Sequence, residues 1–283
     1  MSIEFKNILI PVDFSINTEI AIKKAIGLVA EKDAVIHLLH VLPSIITALT
    51  VDASYTGASF PDTADMQDAE KKLKQWKYSI IESFPGISIE THLRKGHSIQ
   101  QQVIRLAKQL NPQLIIIGKH NYHNWFSFLN TITPSKLAKG TNCPVLTVKM
   151  GSLHNKIRSI VFPVQSFVPN RKIALLVALV KRYRARVYLI ILVDPPGEAN
   201  PPLYDAFIDT YRMLKASLNC PIEHEIVTGT SLAKEALHFA EKIQADMILL
   251  HPDAETRLSS FTKQQVSDVV KGNSKLEVLS VEP

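Results

Sequence analysis

The 283-residue chain is short of cysteine, of long apolar runs and of charge of one sign, and each scarcity removes a class of protein. Two cysteines, Cys143 and Cys220, cannot build a disulfide framework or a four-cysteine zinc site. A bilayer-spanning helix needs about 20 continuous apolar residues. The longest apolar runs, 173–180 and 187–193, are of strand or helix length, and the charged stretch 181–186 separates them. The net charge of +6 is spread out, with 16 Lys+Arg against 12 Asp+Glu over 1–150 and 16 against 14 over 151–283. A dedicated nucleic-acid binder concentrates its basic residues on one segment or face. The opening MSIEFKNILIPVD enters a strand-like run without a basic-then-apolar leader. These features point to a cytoplasmic protein that crosses no membrane and binds no nucleic acid. With 46% hydrophobic residues, wholesale disorder is excluded, and at about 150 residues per domain the length suggests two domains.

What the chain does have is an internal repeat. Ile8-Leu9-Ile10-Pro11-Val12 returns as Ile160-Val161-Phe162-Pro163-Val164, an offset of 160 − 8 = 152, and the run 35–41 matches 187–193 at the same offset. Gly96 matches Gly229, 114–117 matches 247–250, and 145–148 matches 278–281, all at an offset of 133. Two copies of one unit fit this pattern, with an extra connection in the first. The Ser-, Thr- and Ala-rich stretch 43–65 is the obvious insertion.

Each copy alternates strand and helix patterns. In the first, 7–12, 35–41, 115–117 and 145–148 are short, nearly continuous apolar runs, as suits parallel strands buried on both faces. The run 87–93 alternates like an edge strand. Helical patterns cover 18–31, 65–84, 98–110 and 134–139, with Ser98 placed to cap one helix and Thr133 placed before Pro134 to cap another. Strand–helix–strand alternation implies right-handed crossovers with helices on both sheet faces. The expected fold class is α/β: two tandem, doubly wound, parallel five-stranded sheet domains of Rossmann-like type, over 1–150 and 151–283, joined by a short Gly151-Ser152 linker.

The segments ILIPVDFS (8–15), LLHVLP (38–43), LIIIGKHN (114–121) and CPVLTVK (143–149), with the Gly96 turn, resemble the universal stress protein family in its tandem form. The second copy resembles it more weakly, through IVFPVQ, LIILVD, ADMILLHP and LEVLSV. The resemblance implies a protein acting in stress response by binding ligands or partners. In some relatives that ligand is ATP, held by an Asp after the first strand and a glycine pattern after the fourth. Carried over, Pro11, Asp13 and Val41 match the adenosine side of that site, while Gly118 and Lys119 match the start of the glycine loop. Asn121 stands in place of the second glycine and Asn130 in place of the third, and Thr131 supplies the hydroxyl. Asn tolerates left-handed backbone angles but adds bulk where phosphate would pack. ATP in the first copy therefore stands beside an empty or refilled pocket, with Trp125, Phe126 and Phe128 available to fill it. In the second copy Gln165 replaces Asp13 and His251 replaces Gly118, so no nucleotide is expected there. Its implied task is that of the partner a single-domain relative obtains by dimerising, with the last strands 145–148 and 278–281 as the contact; homodimerisation of the whole chain stays open.

Other signals carry duller readings. His120 and His123 have no third ligand at useful spacing and read as surface residues, so no metal is expected. His40 reads as a strand histidine, Cys143 and Cys220 as buried or half-buried thiols, and 181–186 as cations at a helix end. No G-x-S-x-G, Walker A or CxxC motif appears. The chain reads as a binding protein. Weak ATP hydrolysis or phosphotransfer is the enzymatic alternative, and a ligand-free interaction scaffold the third.

Overall fold

The computed structural model describes residues 3–29, 33–43, 63–119, 128–153, 156–193, 201–255 and 265–282. The first half runs β1 (Asn7–Pro11), α1 (Ile16–Leu28), β2 (Val35–Pro43), α2 (Thr63–Ser83), β3 (Ser88–Gly96), α3 (Ile99–Leu110), β4 (Leu114–Gly118), α4 (Pro134–Thr141) and β5 (Val145–Val148). The second runs β6 (Ser159–Pro163), α5 (Asn170–Tyr183), β7 (Arg186–Val193), α6 (Pro201–Ser217), β8 (Ile222–Thr228), α7 (Leu232–Lys242) and β9 (Met247–Leu250). It ends with the short helices α8 (Pro252–Glu255) and α9 (Val266–Val269), then β10 (Glu277–Ser280). The alternation read from the sequence is thus the α/β alternation of the molecule, and the alternating run 87–93 falls on the edge strand β3, which begins one residue later and runs on to Gly96.

Five parallel strands lie in each half, and the two sets form one sheet of order β3-β2-β1-β4-β5-β10-β9-β6-β7-β8. The expected pair of sheets is continuous because β5 and β10 pair antiparallel, which removes two exposed edges. Their register is symmetric. Leu146 faces Leu279, its own counterpart at offset 133, while Thr147 faces Val278 and Val145 faces Ser280. Residue i meeting j while the counterpart of j meets that of i is the signature of a two-fold interface.

The register also corrects the repeat. Asn7 pairs with Val35, but Ser159, the counterpart of Asn7, pairs with Arg186. The offset of the second strand is therefore 186 − 35 = 151, one less than matching the apolar runs suggests. The third strand agrees: Val41 faces Arg94 and Leu192 faces Val227, and 227 − 94 = 133.

Helix ends repeat as well. Ser98 accepts from Gln101 N at 3.3 Å, and Ser231, 133 residues on, accepts from Lys234 N at 3.4 Å. Thr133 does not cap α4 with its hydroxyl; its own N–H instead donates to Gln100 Oε1 at 2.9 Å. Gly151 is clamped against the second half: its N–H donates to Gly272 O, and a β-carbon there would lie 2.3 Å from Asn273 backbone.

Charged groups lace the junction. Lys24 of α1 meets Glu277 of β10 at 2.5 Å, with Glu277 fully buried. Burial pushes the Glu277 carboxyl up, and Lys24 holds back part of the rise. Arg182 in the last turn of α5 donates to Gly27 O at 2.7 and 3.1 Å. The stretch 181–186 therefore does put cations at a helix C-terminus, Lys181 and Arg182 in the last turn of α5, and Arg182 also reaches the end of α1, which has no basic residue in its own last turn.

Candidate functional site

In an open parallel sheet, ligands bind beyond the carboxyl ends of strands where the strand order reverses. In the first half that point lies around β1, flanked by β2 and β4. Pro11 is the buried last residue of β1, and Asp13 follows two residues later. Asp13 Oδ1 accepts from Ser15 Oγ at 2.5 Å, Thr18 Oγ1 at 2.7 Å and Ser15 N at 3.1 Å. Asp13 N in turn donates to Thr18 Oγ1 at 3.2 Å. Ser15 is the N-cap position of α1, yet its hydroxyl serves Asp13 and makes no cap bond. The turn is bought with backbone strain at Phe14, whose φ of 59° lies in the left-handed region, a conformation that costs a non-glycine residue about 1–3 kcal/mol.

Phe14 is held there by rings. Its centroid is 4.6 Å from that of His40 and 5.5 Å, edge-on, from that of Trp76. His40 is buried, and its Nδ1–H donates to Val12 O at 2.8 Å, since a carbonyl only accepts. Burial lowers the His40 pKa, opposed by the Val12 bond and by Asp13. The imidazole is a fixed part of the wall that ends β1.

Val41 is buried in β2 beyond the end of β1. Val12 N donates to Leu39 O at 2.8 Å, so the Leu39 backbone faces β1. By strand alternation the Val41 N–H and C=O face the same side, past the last β1 residue. Gly118 ends β4 on the other flank. A β-carbon there would lie 2.1 Å from Asn17 O and 3.0 Å from Thr18 N. Glycine is thus required by the close approach of the first turn of α1, the same turn that orients Asp13.

The structure brings Pro11, Asp13, Val41 and Gly118 to the carboxyl ends of three adjacent strands. It places Lys119 differently: its buried ammonium pairs with Asp268 Oδ1 of α9 at 2.6 Å. Asp268 also closes the capping box of α9 with Gln265, whose side chain accepts from Ser135 Oγ of α4 at 2.8 Å. Lys119 is therefore part of the junction. Beside it Lys149 donates to Val270 O, and burial, then the nearby Lys119, pushes Lys149 down to about 8, against the pull of Asp268. Asn130 and Thr131 lie in a 3-10 turn, Phe128–Thr131, with Thr131 exposed. Asn121, His120, His123, Trp125 and Phe126 lie outside the described residues. Sequence reasoning missed Phe14, Ser15 and Thr18, although the run Asp13-Phe14-Ser15-x-x-Thr18 already sets two hydroxyls within reach of one carboxylate.

The equivalent place in the second half is built from other groups. Gln165 stands for Asp13, and its buried Oε1 has no hydrogen-bond partner among the described residues. His251 stands for Gly118; its Nδ1 accepts from Asp253 N at 3.1 Å, and Glu282 and Asp253 carboxylates lie 3.8 Å from its ring. Behind them Lys172 is fully buried, its Nζ 3.4 Å from Pro163 O and 4.5 Å above the Phe162 ring. Burial pushes its ammonium down to about 7. Cys143 is a buried free thiol, raised to about 12 by burial, and Cys220 a half-buried one.

Known proteins share this architecture. Universal stress protein G of Escherichia coli O157:H7 is 30% identical over 146 residues, which cover 51% of this chain and 99% of that protein. A universal stress protein from Archaeoglobus fulgidus has a crystal structure that superposes with a TM-score of 0.65 at 15% identity, over 99% of this chain and 97% of that one. A Pseudomonas aeruginosa PAO1 protein of unknown function superposes over 99% of this chain and 93% of that one, with a TM-score of 0.56 at 18% identity. A model of the universal stress protein family matches residues 4–149, just over half the chain, and the chain belongs to that family.

Proposed function

We propose that this protein works in the cytoplasm by binding, with a first-half crevice that takes an adenine nucleotide and a second half that takes none. The observation that carries this is the meeting of Asp13, the Val41 backbone edge and Gly118 at the strand-order reversal, beside the first turn of α1. An adenosine needs a carboxylate for its sugar hydroxyls and backbone donor and acceptor groups for its base. Helix N–H groups favour the anionic end of ATP. The reading is one of binding rather than turnover. Asp13 Oδ1 already accepts three hydrogen bonds, and Lys119, the cation next to the loop, is held by Asp268. Phosphoryl transfer needs such groups aimed at the reacting phosphate.

The division into units 1–150 and 151–283 is part of the same proposal. The symmetric β5–β10 register supports it, because it is the contact two identical chains would make about a two-fold axis. The second half then supplies internally what a partner subunit would.

The test is calorimetry of the full chain with ATP and with AMP. One site is expected, weakened at least about tenfold by Asp13→Ala through the lost charge-assisted bonds and unchanged by Gln165→Ala. No heat with any adenine nucleotide would leave the scaffold reading, and Mg²⁺-dependent hydrolysis abolished by Asp13→Ala would replace binding with catalysis.

A further inference from the structure

Away from the crevice, three side chains from β2 and β3 converge on the sheet face packed against α3. Strand register sets His37 beside Glu90 and Leu39 beside His92, so His37, Glu90 and His92 leave the sheet on the same side. His37 Nδ1 lies 3.1 Å from His92 Nε2 and 3.1 Å from Glu90 Oε2, and His92 Nε2 lies 3.9 Å from that same oxygen. All three candidate ligand atoms fall within 4.8 Å of one another.

Hydrogen bonding can fill the triangle with a single proton, an N–H on one imidazole facing the other ring's lone pair and the carboxylate oxygen together. A cation in place of that proton meets all three ligand atoms at once. Bonds of about 2.0–2.1 Å at tetrahedral angles set neighbouring ligand atoms about 3.4 Å apart, close to the three separations found here. His37 is buried and His92 largely so, while the Glu90 carboxylate is 57% exposed, which gives an ion a way in. Arg94, two residues on from His92, donates to Gln109 of α3, although its charge still reaches His92.

We propose that His37, Glu90 and His92 form a site for a divalent transition-metal ion of the zinc class. Two imidazoles and one carboxylate are the donor set such ions take, and they leave a fourth position for water or an exogenous ligand. The ion ties β3, an outer strand of the ten-stranded sheet, to β2. The proposal does not rest on nucleotide binding, because none of its residues belongs to the crevice.

Metal-stripped full-length protein titrated with Zn²⁺ and, separately, with Co²⁺ tests it. One equivalent of each is expected, with Co²⁺ developing the visible absorption of four-coordinate nitrogen–oxygen ligation. His92→Gln and Glu90→Gln sit at partly exposed positions and are expected to weaken uptake at least about tenfold while the metal-free melting temperature stays that of the parent. His238→Gln, an exposed histidine on α7, is expected to change nothing. Uptake that survives both ligand variants, that falls equally with His238→Gln, or that never reaches one equivalent overturns the site.

Discussion

The two crevices share a backbone plan and differ in what fills it. In the first half Gly118 lets α1 begin at Ile16 with Asn17 O resting where a β-carbon would be. In the second, His251 occupies that position, and α5 begins at Asn170, two residues later than the counterpart of Ile16 at offset 152, which is Val168. The later start goes with the bulkier side chain, and position 165 carries no acid for a first turn to orient. Gln165 accordingly sits with an orphaned carbonyl where Asp13 holds two hydroxyls. The lesson is that the residue at the end of one strand and the start of the opposing helix change together, glycine going with the earlier start and histidine with the later one.

The comparison treats the halves as separable, and the pair most able to break it spans both. Lys24→Met leaves the Glu277 carboxylate buried without its cation, and removing one partner of a buried ion pair costs about 3–5 kcal/mol. Urea unfolding is expected to show one transition shifted by that amount, and Lys24→Met with Glu277→Leu is expected to recover most of it. Two separated transitions in the single variant would mean that the halves unfold independently. Next in size is Gly118→Ala. The new methyl meets backbone rather than a flexible side chain, so about 3 kcal/mol is expected, with loss of nucleotide heat. His251→Ala, at the same place in the other half, is expected to leave nucleotide binding unchanged.

Asp13→Ala should have a smaller effect on stability than on ligand. It frees the hydroxyl of Thr18, which is fully buried, and that of Ser15, for about 1–2 kcal/mol in the melting transition. Gln165→Ala should cost nothing measurable, because its carbonyl makes no hydrogen bond to lose. Equal losses in the two variants would show that the turn, and not the carboxylate, carries the first-half order.

Much of this contrast is legible in the chain itself, through particular residues. Apolar runs locate eight of the ten strands and an alternating run locates β3, while β8, Ile222–Thr228, carries too many polar residues to stand out; the changes from Asp13 to Gln165 and Gly118 to His251 mark the second crevice as altered. The register of β7 is not legible. Val187 to Val193 is apolar throughout, so a one-residue slip leaves a strand buried on both faces looking the same. Only its pairing with β6 shows that Arg186, not Val187, opposes the first residue of that strand. Lys119 is illegible for another reason. Its neighbours in sequence suggest a phosphate loop, whereas its partner Asp268 lies 149 residues away. The cluster of His37, Glu90 and His92 depends in the same way on two strands 53 residues apart being laid side by side, since 90 − 37 = 53.

The finest contrast is between Lys172 and Ile20, its counterpart at offset 152. Both are buried near the starts of their helices, but only one carries an amine. Burial holds the Lys172 pKa near 7 in the folded chain against 10.5 when unfolded. Between those values the unfolded chain binds a proton that the folded chain does not, so stability rises with pH by about 1.4 kcal/mol per unit. The contribution is present in full above pH 10.5 and is lost as pH falls to about 7. Lys172→Met is close in volume and removes the dependence. Over one pH unit, from 8 to 9, the parent is expected to gain about 1 kcal/mol on the variant in paired urea titrations, and Ile20→Met is expected to show no such drift. A parallel course of parent and Lys172→Met would mean that the amine stays charged in the fold, which requires an anion at its head and would turn the second crevice from a filled space into an occupied one.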